Sequence, residues 1–199
     1  MQEGVIKYKA HWREAPLPYP ELLPELIRWR QVLYEAGLIG VYPDGIGYGN
    51  ISRRVPGTDQ FIISGSGTGA LPGLTEAHFS LVTKVDIEQN ELWCEGPVIA
   101  SSESMSHAAV YKAWPKAGAV VHIHQAAWWK KCLHKLPTTD PAAEYGTVAM
   151  ARCIARLTSE IISHQNQPKI IVMAGHPEGI IGFGEDLEGA VTVIEELKN

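Results

Sequence analysis

The sequence predicts an α/β protein in which helices cover both faces of a mixed β-sheet. The chain has 199 residues, of which 45% are hydrophobic and 20% charged, enough apolar material for one ample core. Apolar residues recur at helical spacing in some segments and form short runs bounded by glycine and proline in others. One helix comes first, several strands follow, and strands then alternate with helices. This order is typical of a mixed sheet between helical layers.

The first half of the chain is predicted to be mainly β-structure after one helix. Residues 1–20 are rich in proline and are predicted to form an irregular arm before a single domain over 21–199. Helical spacing of apolar residues predicts a helix over 21–36, which ends at Gly37. Short apolar runs predict strands over 51–55, 60–63, 79–85 and 91–94, with glycine-rich loops at 45–50 and 64–69.

The second half alternates between the two kinds of element. A helix of about ten residues is expected to begin in the serine-rich segment at 101–107, with a serine as N-cap, and to stop before Pro115. Further helices are predicted over 125–133, 143–164 and 185–197. The remaining strands are predicted over 119–124, 169–173 and 179–183.

Charge and composition exclude some classes of partner. The net charge of −5 predicts no nucleic-acid surface. No apolar run approaches the ~20 residues of a membrane helix, and the three cysteines form no C-x-x-C pair. These features predict a cytoplasmic protein with reduced thiols. The segment Trp128-Trp129-Lys130-Lys131 is interpreted as a helix that packs one indole inward, with the second at a possible subunit contact.

The chemistry of the chain is expected to centre on the segment Val-Val-His-Ile-His at 120–124. Side chains two apart in a strand share a face, so His122 and His124 can point toward one metal ion. Core or surface histidines explain many such pairs. His176, in a glycine-flanked turn after a strand, is the best third candidate, and three imidazoles would leave one position open on a tetrahedral catalytic zinc ion. His11, in the predicted arm, is not expected to be a ligand.

Two further groups of residues can complete a site. Glu103 lies at a helix start, where a negative charge interacts favourably with the helix dipole. It can also act as general acid or base beside a metal-bound substrate. The glycine loops can have a purely structural role as turns. Backbone amides in such loops can also hold an anion without a basic residue. The small hydrogen-bonding residues beside the glycines or at the helix start are Asn50, Ser66, Ser101 and Ser102.

With these residues in place, the chain resembles the class II aldolase and adducin family. The resemblance runs from the helix at 21 to about residue 195 and rests on seven motifs in the family's order. They are Gly49-Asn-Ile-Ser, the loop at 64–69, Leu74-Thr-Glu, Ala100-Ser-Ser-Glu, Val121-His-Ile-His, Glu144-Tyr-Gly-Thr and Gly175-His-Pro-Glu-Gly. It implies a three-layer α/β/α sandwich around a mainly antiparallel sheet, assembled as a homotetramer.

The resemblance also implies a site and a reaction. His122, His124 and His176 would bind Zn²⁺ or another divalent metal, Glu103 would be the acid/base, and Asn50, Ser66, Gly67, Ser101 and Ser102 would bind a phosphate. The expected activity is that of a zinc-dependent lyase of the aldolase type. It would cleave or form a C–C bond in a small sugar phosphate or related hydroxyketone through an enediolate.

The resemblance leaves alternatives open. They are a zinc-dependent dehydratase of a ketose 1-phosphate such as methylthioribulose 1-phosphate, an epimerase, and a non-catalytic adducin-like binding module. Two features depart from the sugar-phosphate aldolases. The segment 125–143 is short, and the usual His-Gly pair is His176-Pro177, so the loop of the third ligand is expected to be built differently.

Overall fold

The computed structural model of the chain describes residues 5–164 and 167–198. The strands in these ranges are β1 (Lys9–Glu14), β2 (Gly40–Val41), β3 (Gly47–Tyr48), β4 (Asn50–Arg54), β5 (Phe61–Ser64), β6 (Phe79–Asp86), β7 (Glu91–Gly96), β8 (Ala119–His124), β9 (Ile170–Val172) and β10 (Gly179–Gly184). The helices are α1 (Leu23–Glu35), α2 (Ser104–Ala113), α3 (Ala126–Cys132), α4 (Val148–Ser163) and α5 (Leu187–Glu195).

Eight of the described strands form the main sheet, in the order β1-β7-β6-β5-β4-β8-β10-β9. Its strand pairs are antiparallel except for the pair β1 and β7. The strands β2 and β3 form a small separate hairpin. The prediction of a mainly antiparallel sheet is therefore confirmed, and β8 lies well inside it between β4 and β10.

Helices lie on both faces of this sheet, as predicted for an α/β/α sandwich. One apolar cluster joins α2 and α4 to alternate residues of the strands, among them Val120 and Ile181. The cluster on the opposite face joins α1, α3 and α5 to the intervening residues, among them Val121 and Ile180. None of the helices in the described ranges is long and apolar enough to cross a membrane.

The prediction of an irregular segment over 1–20 is wrong for Lys9–Glu14. These residues form the edge strand β1, whose residues lie in register with Glu91–Gly96 of β7. The strand is polar and largely exposed, so its sequence lacks the apolar alternation that reveals a strand. The proposed division into an arm over 1–20 and a domain over 21–199 otherwise stays a prediction.

Two helices begin elsewhere than expected. The N-cap of α2 is Glu103 rather than a serine, although the Ser101 hydroxyl accepts a hydrogen bond from the Glu103 amide at 3.3 Å. The helix α4 begins at Val148 instead of residue 143, because Gly146 turns the chain at φ +69° and Thr147 then caps the helix. The apolar face predicted for α4 is buried as expected.

The segment at 128–131 forms part of α3, as predicted. Trp129 donates its indole N–H to the Met173 carbonyl at 2.9 Å, and both indoles, instead of one as predicted, pack against the apolar cluster of α1 and α5. Lys130 and Lys131 are exposed. A role of Trp128 at a subunit contact stays a prediction.

Candidate metal centre

Three histidines converge at the end of the central strand β8. Because side chains alternate along a strand, His122 and His124 point to the face that α2 and α4 cover, together with Val120. His176 reaches the same point from the loop between β9 and β10. Possible ligand atoms of the three imidazoles all lie within 4.8 Å of one another, and Nε2 of His124 is 3.1 Å from Nε2 of His176.

The histidine cluster is buried, and burial favours the neutral form of its imidazoles. Burial lowers the pKa of His122 and of His176 well below the usual value, and neighbouring imidazoles lower the pKa of both further. The two rings are therefore neutral near pH 7, which is the form that binds a metal. Nε2 of His122 is buried and has no hydrogen-bond partner within the described ranges.

The donor set fits a divalent metal such as zinc. Tetrahedral ligands at Zn–N distances of about 2.0–2.1 Å are separated by roughly 3.3 Å, which is close to the 3.1 Å between Nε2 of His124 and His176. Three protein ligands leave one position for substrate, as in catalytic zinc sites. The structure thus brings together all three predicted ligands.

Glu103 lies beside this cluster at the start of α2. Its side chain is buried, and Oε2 accepts a hydrogen bond from the Ser106 hydroxyl at 2.8 Å. Oε1 lies 4.0 Å from Nε2 of His176. The carboxylate is therefore held in a position from which it can exchange a proton with a molecule bound at the histidines.

A narrow cavity extends from His122 and Glu103 between the two glycine loops and the start of α2. Every residue predicted to bind phosphate lines it, namely Asn50, Ser66, Gly67, Ser101 and Ser102. Gly67 has φ +76° and open space where a Cβ atom would lie. Loop amides and polar side chains at this cavity are suited to an anion.

Arg30 supports the loop that lines this cavity, and the sequence interpretation did not include it. It is buried in α1 and donates to the carbonyl oxygens of Thr68 and Gly69 at 3.0 Å and of Leu71 at 2.6 Å. Burial lowers its guanidinium pKa from the ordinary value. A charged residue on the otherwise apolar face of the first helix is the signal that could have identified it.

Tyr42, Tyr145 and Glu178 were also missed as neighbours of the histidines. The Tyr145 ring packs on His176 with centroids 4.7 Å apart, and Tyr42 contacts both His124 and Glu178. All three line a second cavity of about 330 Å³ on the other side of His176. Glu178 follows Pro177 at φ +71°, so the loop of the third histidine differs from a His-Gly turn.

The remaining histidines lie outside the cluster. His11, on the edge strand β1, stacks on Trp93 of the neighbouring strand β7, with centroids 4.5 Å apart. His107 is buried in α2, and its Nδ1 hydrogen-bonds with the Ser52 hydroxyl at 2.7 Å. Three others, His78, His134 and His164, are exposed or partly exposed at helix or turn ends.

Comparison with known proteins agrees with this architecture. A family model described as "Class II Aldolase and Adducin N-terminal domain" matches residues 26–199. Among solved structures, an L-fuculose 1-phosphate aldolase is 20% identical with a TM-score of 0.69, over 92% of this chain and 84% of that one. The L-fuculose-1-phosphate aldolase from Thermus thermophilus is 24% identical with a TM-score of 0.62, over 88% of each chain.

A further structural neighbour carries a broader description. YgbL from Klebsiella pneumoniae, a putative aldolase/epimerase/decarboxylase, is 21% identical with a TM-score of 0.65, over 89% of this chain and 84% of that one. No curated protein sequence matches the chain. At these identities the structural likeness shows the fold.

Proposed function

Since the chain belongs to the class II aldolase and adducin family, we propose that it is a metal-dependent lyase of the aldolase type. It cleaves or forms a carbon–carbon bond in a small sugar phosphate or related hydroxyketone. The observation that carries the proposal is that three buried histidines and the Glu103 carboxylate meet at one end of an anion cavity.

The residues divide the work as follows. His122, His124 and His176 hold the metal, for which we propose zinc, and a bound metal supplies a Lewis acid for the substrate carbonyl. The glycine loops and the start of α2 bind the phosphate through their amides and through Asn50, Ser66, Gly67, Ser101 and Ser102. This binding orients the substrate with its reacting carbons beside Glu103.

Glu103 is proposed to move the proton. In cleavage, the hydroxyl group loses its proton, the C–C bond breaks, and the carbon that carried the hydroxyl becomes an aldehyde. The carbon next to the ketone then gains a proton. A carboxylate held by Ser106 and pointed toward the histidines can exchange protons with these positions. Burial excludes bulk water from the carboxylate and strengthens its electrostatic interactions.

The experiment is a retro-aldol and dehydration assay across a panel of ketose 1-phosphates. We expect an aldehyde and a dihydroxyacetone-phosphate-like product, and Glu103→Gln should lower kcat by about 100-fold or more while the metal stays bound. Glu188→Gln, at an exposed acid on α5, is the matched control. Full activity in Glu103→Gln would contradict the assignment of Glu103.

The same measurements separate the alternatives. A dehydratase would convert the same substrates with loss of water instead of a carbonyl fragment, and an epimerase would return an isomer. An adducin-like binding module would show no turnover and a metal content near zero after zinc is added. Identification of products and of metal per subunit therefore decides between these functions.

The assembly and the location stay predictions. A homotetramer would bring a neighbouring subunit close to the site, and light scattering on the purified protein measures its mass directly. A cytoplasmic location is expected from the composition.

A further inference from the structure

Tyr42, in the small β2–β3 hairpin, joins a metal-ligand candidate to a carboxylate. Its hydroxyl oxygen lies 2.8 Å from Nδ1 of His124 and 2.8 Å from Oε2 of Glu178. The Tyr42 ring stands edge-on to the His124 imidazole, with centroids 6.1 Å apart. The three side chains thus form a chain from the hairpin, through the end of β8, to the loop before β10.

The donor and acceptor of each of these two hydrogen bonds follow from the chemistry of the three side chains. A carboxylate oxygen only accepts, so the Tyr42 hydroxyl proton goes to Glu178. The contact between Tyr42 and His124 must then use the imidazole proton, which places that proton on Nδ1. Nε2 of His124, which faces His176 at 3.1 Å, is left with its lone pair directed into the histidine cluster.

The backbone holds Glu178 in an unfavourable conformation at this position. Its φ of +71° lies in the left-handed region, which costs a residue other than glycine on the order of 1 kcal/mol. The Glu178 carbonyl accepts a hydrogen bond from the Gln125 amide at 3.0 Å, next to His124 in the chain. The loop therefore keeps the carboxylate beside the strand that carries His124.

We propose that Tyr42 and Glu178 are positioning residues that fix the tautomer and the ring orientation of His124 and so raise the metal affinity of the centre. The inference rests on the proposed metal site. A hydrogen bond from the distal nitrogen of a ligating imidazole to an acceptor fixes its orientation and raises its basicity, and loss of such a partner lowers metal affinity by about 10–100-fold. Neither residue lines the cavity that holds Glu103 and the proposed phosphate-binding residues.

The test is metal affinity, measured by competition between the purified protein and a chelator with Zn²⁺ or Co²⁺. Tyr42→Phe should lower affinity by about 10-fold or more, and Glu178→Ala should lower it less, because the Tyr42 oxygen remains as acceptor. Glu178→Gln keeps an acceptor for Tyr42 and should lie between wild type and Glu178→Ala. The double variant should match Tyr42→Phe, since both residues act through one hydrogen bond to His124.

Tyr48→Phe is the matched control for metal binding. Tyr48 lies in the same hairpin, its ring packs near His124 with centroids 5.5 Å apart, and its hydroxyl donates to the Gly37 carbonyl instead. The metal affinity of Tyr48→Phe should equal that of wild type. A loss equal to that of Tyr42→Phe would show that hairpin packing, not the hydroxyl, is responsible, and would overturn the proposal.

A second readout does not depend on metal. Imidazole ¹⁵N chemical shifts of the metal-free protein should show Nδ1 of His124 protonated in wild type and a mixture of tautomers in Tyr42→Phe. Unchanged shifts and affinity in Tyr42→Phe would overturn the inference and leave the metal site intact. A wild-type protein that binds neither metal would overturn the proposed function as well.

Discussion

Gly179 shows how closely the histidines are packed against the backbone. A Cβ atom at this position would lie 2.7 Å from Cδ2 of His176, 3.0 Å from the His176 carbonyl oxygen and 3.1 Å from Nε2 of His122. The residue pairs with His124 in the register between β10 and β8. Only hydrogen at this position therefore leaves the two imidazoles where they are.

Gly179→Ala should weaken metal binding at the centre. The methyl group would push the imidazoles of His122 and His176 apart, and we expect a loss of affinity of about tenfold, or 1.4 kcal/mol. Chelator competition measures this change. Gly73→Ala is the control, because a Cβ atom there meets nothing within 4 Å, and equal affinity in both variants would contradict the argument.

At the scale of elements, the Arg30 side chain joins α1 to the second glycine loop and the residues after it. Arg30 spans from the helix to three carbonyl oxygens at 68–71, so that this stretch of backbone turns its oxygens toward the guanidinium. Gly69 packs tightly beside them, since a Cβ atom would lie 2.6 Å from the Gly40 carbonyl oxygen. The loop that lines the anion cavity is thus fixed from behind by the helix.

Arg30→Met should lower both stability and anion binding. Removing the guanidinium leaves buried carbonyl groups without donors, and we expect the free energy of unfolding to fall by about 3 kcal/mol. Urea unfolding measures the stability, and inhibition by inorganic phosphate measures the anion site. Arg28→Met, at the exposed Arg28 on the same helix, should change stability by less than about 0.5 kcal/mol. Equal losses in the two variants would contradict the role of Arg30.

At the scale of the whole molecule, the sheet places buried polar groups inside the layer formed with α2. Ser52 on β4 hydrogen-bonds with His107 and with Tyr111, both on α2, at 2.7 and 2.8 Å. Burial lowers the pKa of His107 to about 3 and raises the pKa of Tyr111 above its usual value. These groups stay neutral near pH 7, and protonation of His107 is disfavoured in the folded chain.

Acid should therefore destabilise the metal-free protein before most carboxylates titrate. Between the ordinary histidine pKa of 6.5 and the lowered value of about 3, the unfolded chain binds a proton at His107 that the folded chain does not. Stability present above pH 6.5 is lost as the pH falls, by about 1.4 kcal/mol per pH unit for this residue.

The check is urea unfolding of wild type and His107→Asn at several pH values. Between the two pKa values, the slope of unfolding free energy against pH should be smaller in the variant by about 1.4 kcal/mol per pH unit, which corresponds to one proton fewer taken up on unfolding. The other ionisable groups are the same in both proteins, so the difference between the two slopes isolates His107. Equal slopes would show that His107 titrates alike in the folded and unfolded chains.

The sequence alone indicated much of this molecule because periodicity and motif order are local properties. The apolar face of α4 at Met150, Ile154, Leu157 and Ile161 and the buried strand β8 are visible in their spacing. The spacing of His122 and His124 already placed both on one face of a strand. The polar edge strand β1 and the hairpin of β2 and β3 were missed, since neither carries an apolar pattern.

Only the tertiary structure decided what surrounds the histidines. The approach of His176, the distance from Glu103, the support of Arg30 and the link from Tyr42 to Glu178 join segments far apart in the chain. Such contacts depend on sheet order and on the crossing of loops, which residue spacing does not encode. The sequence by itself determined the chemical groups and the strand that presents two of them, and the packing of distant elements decided their geometry.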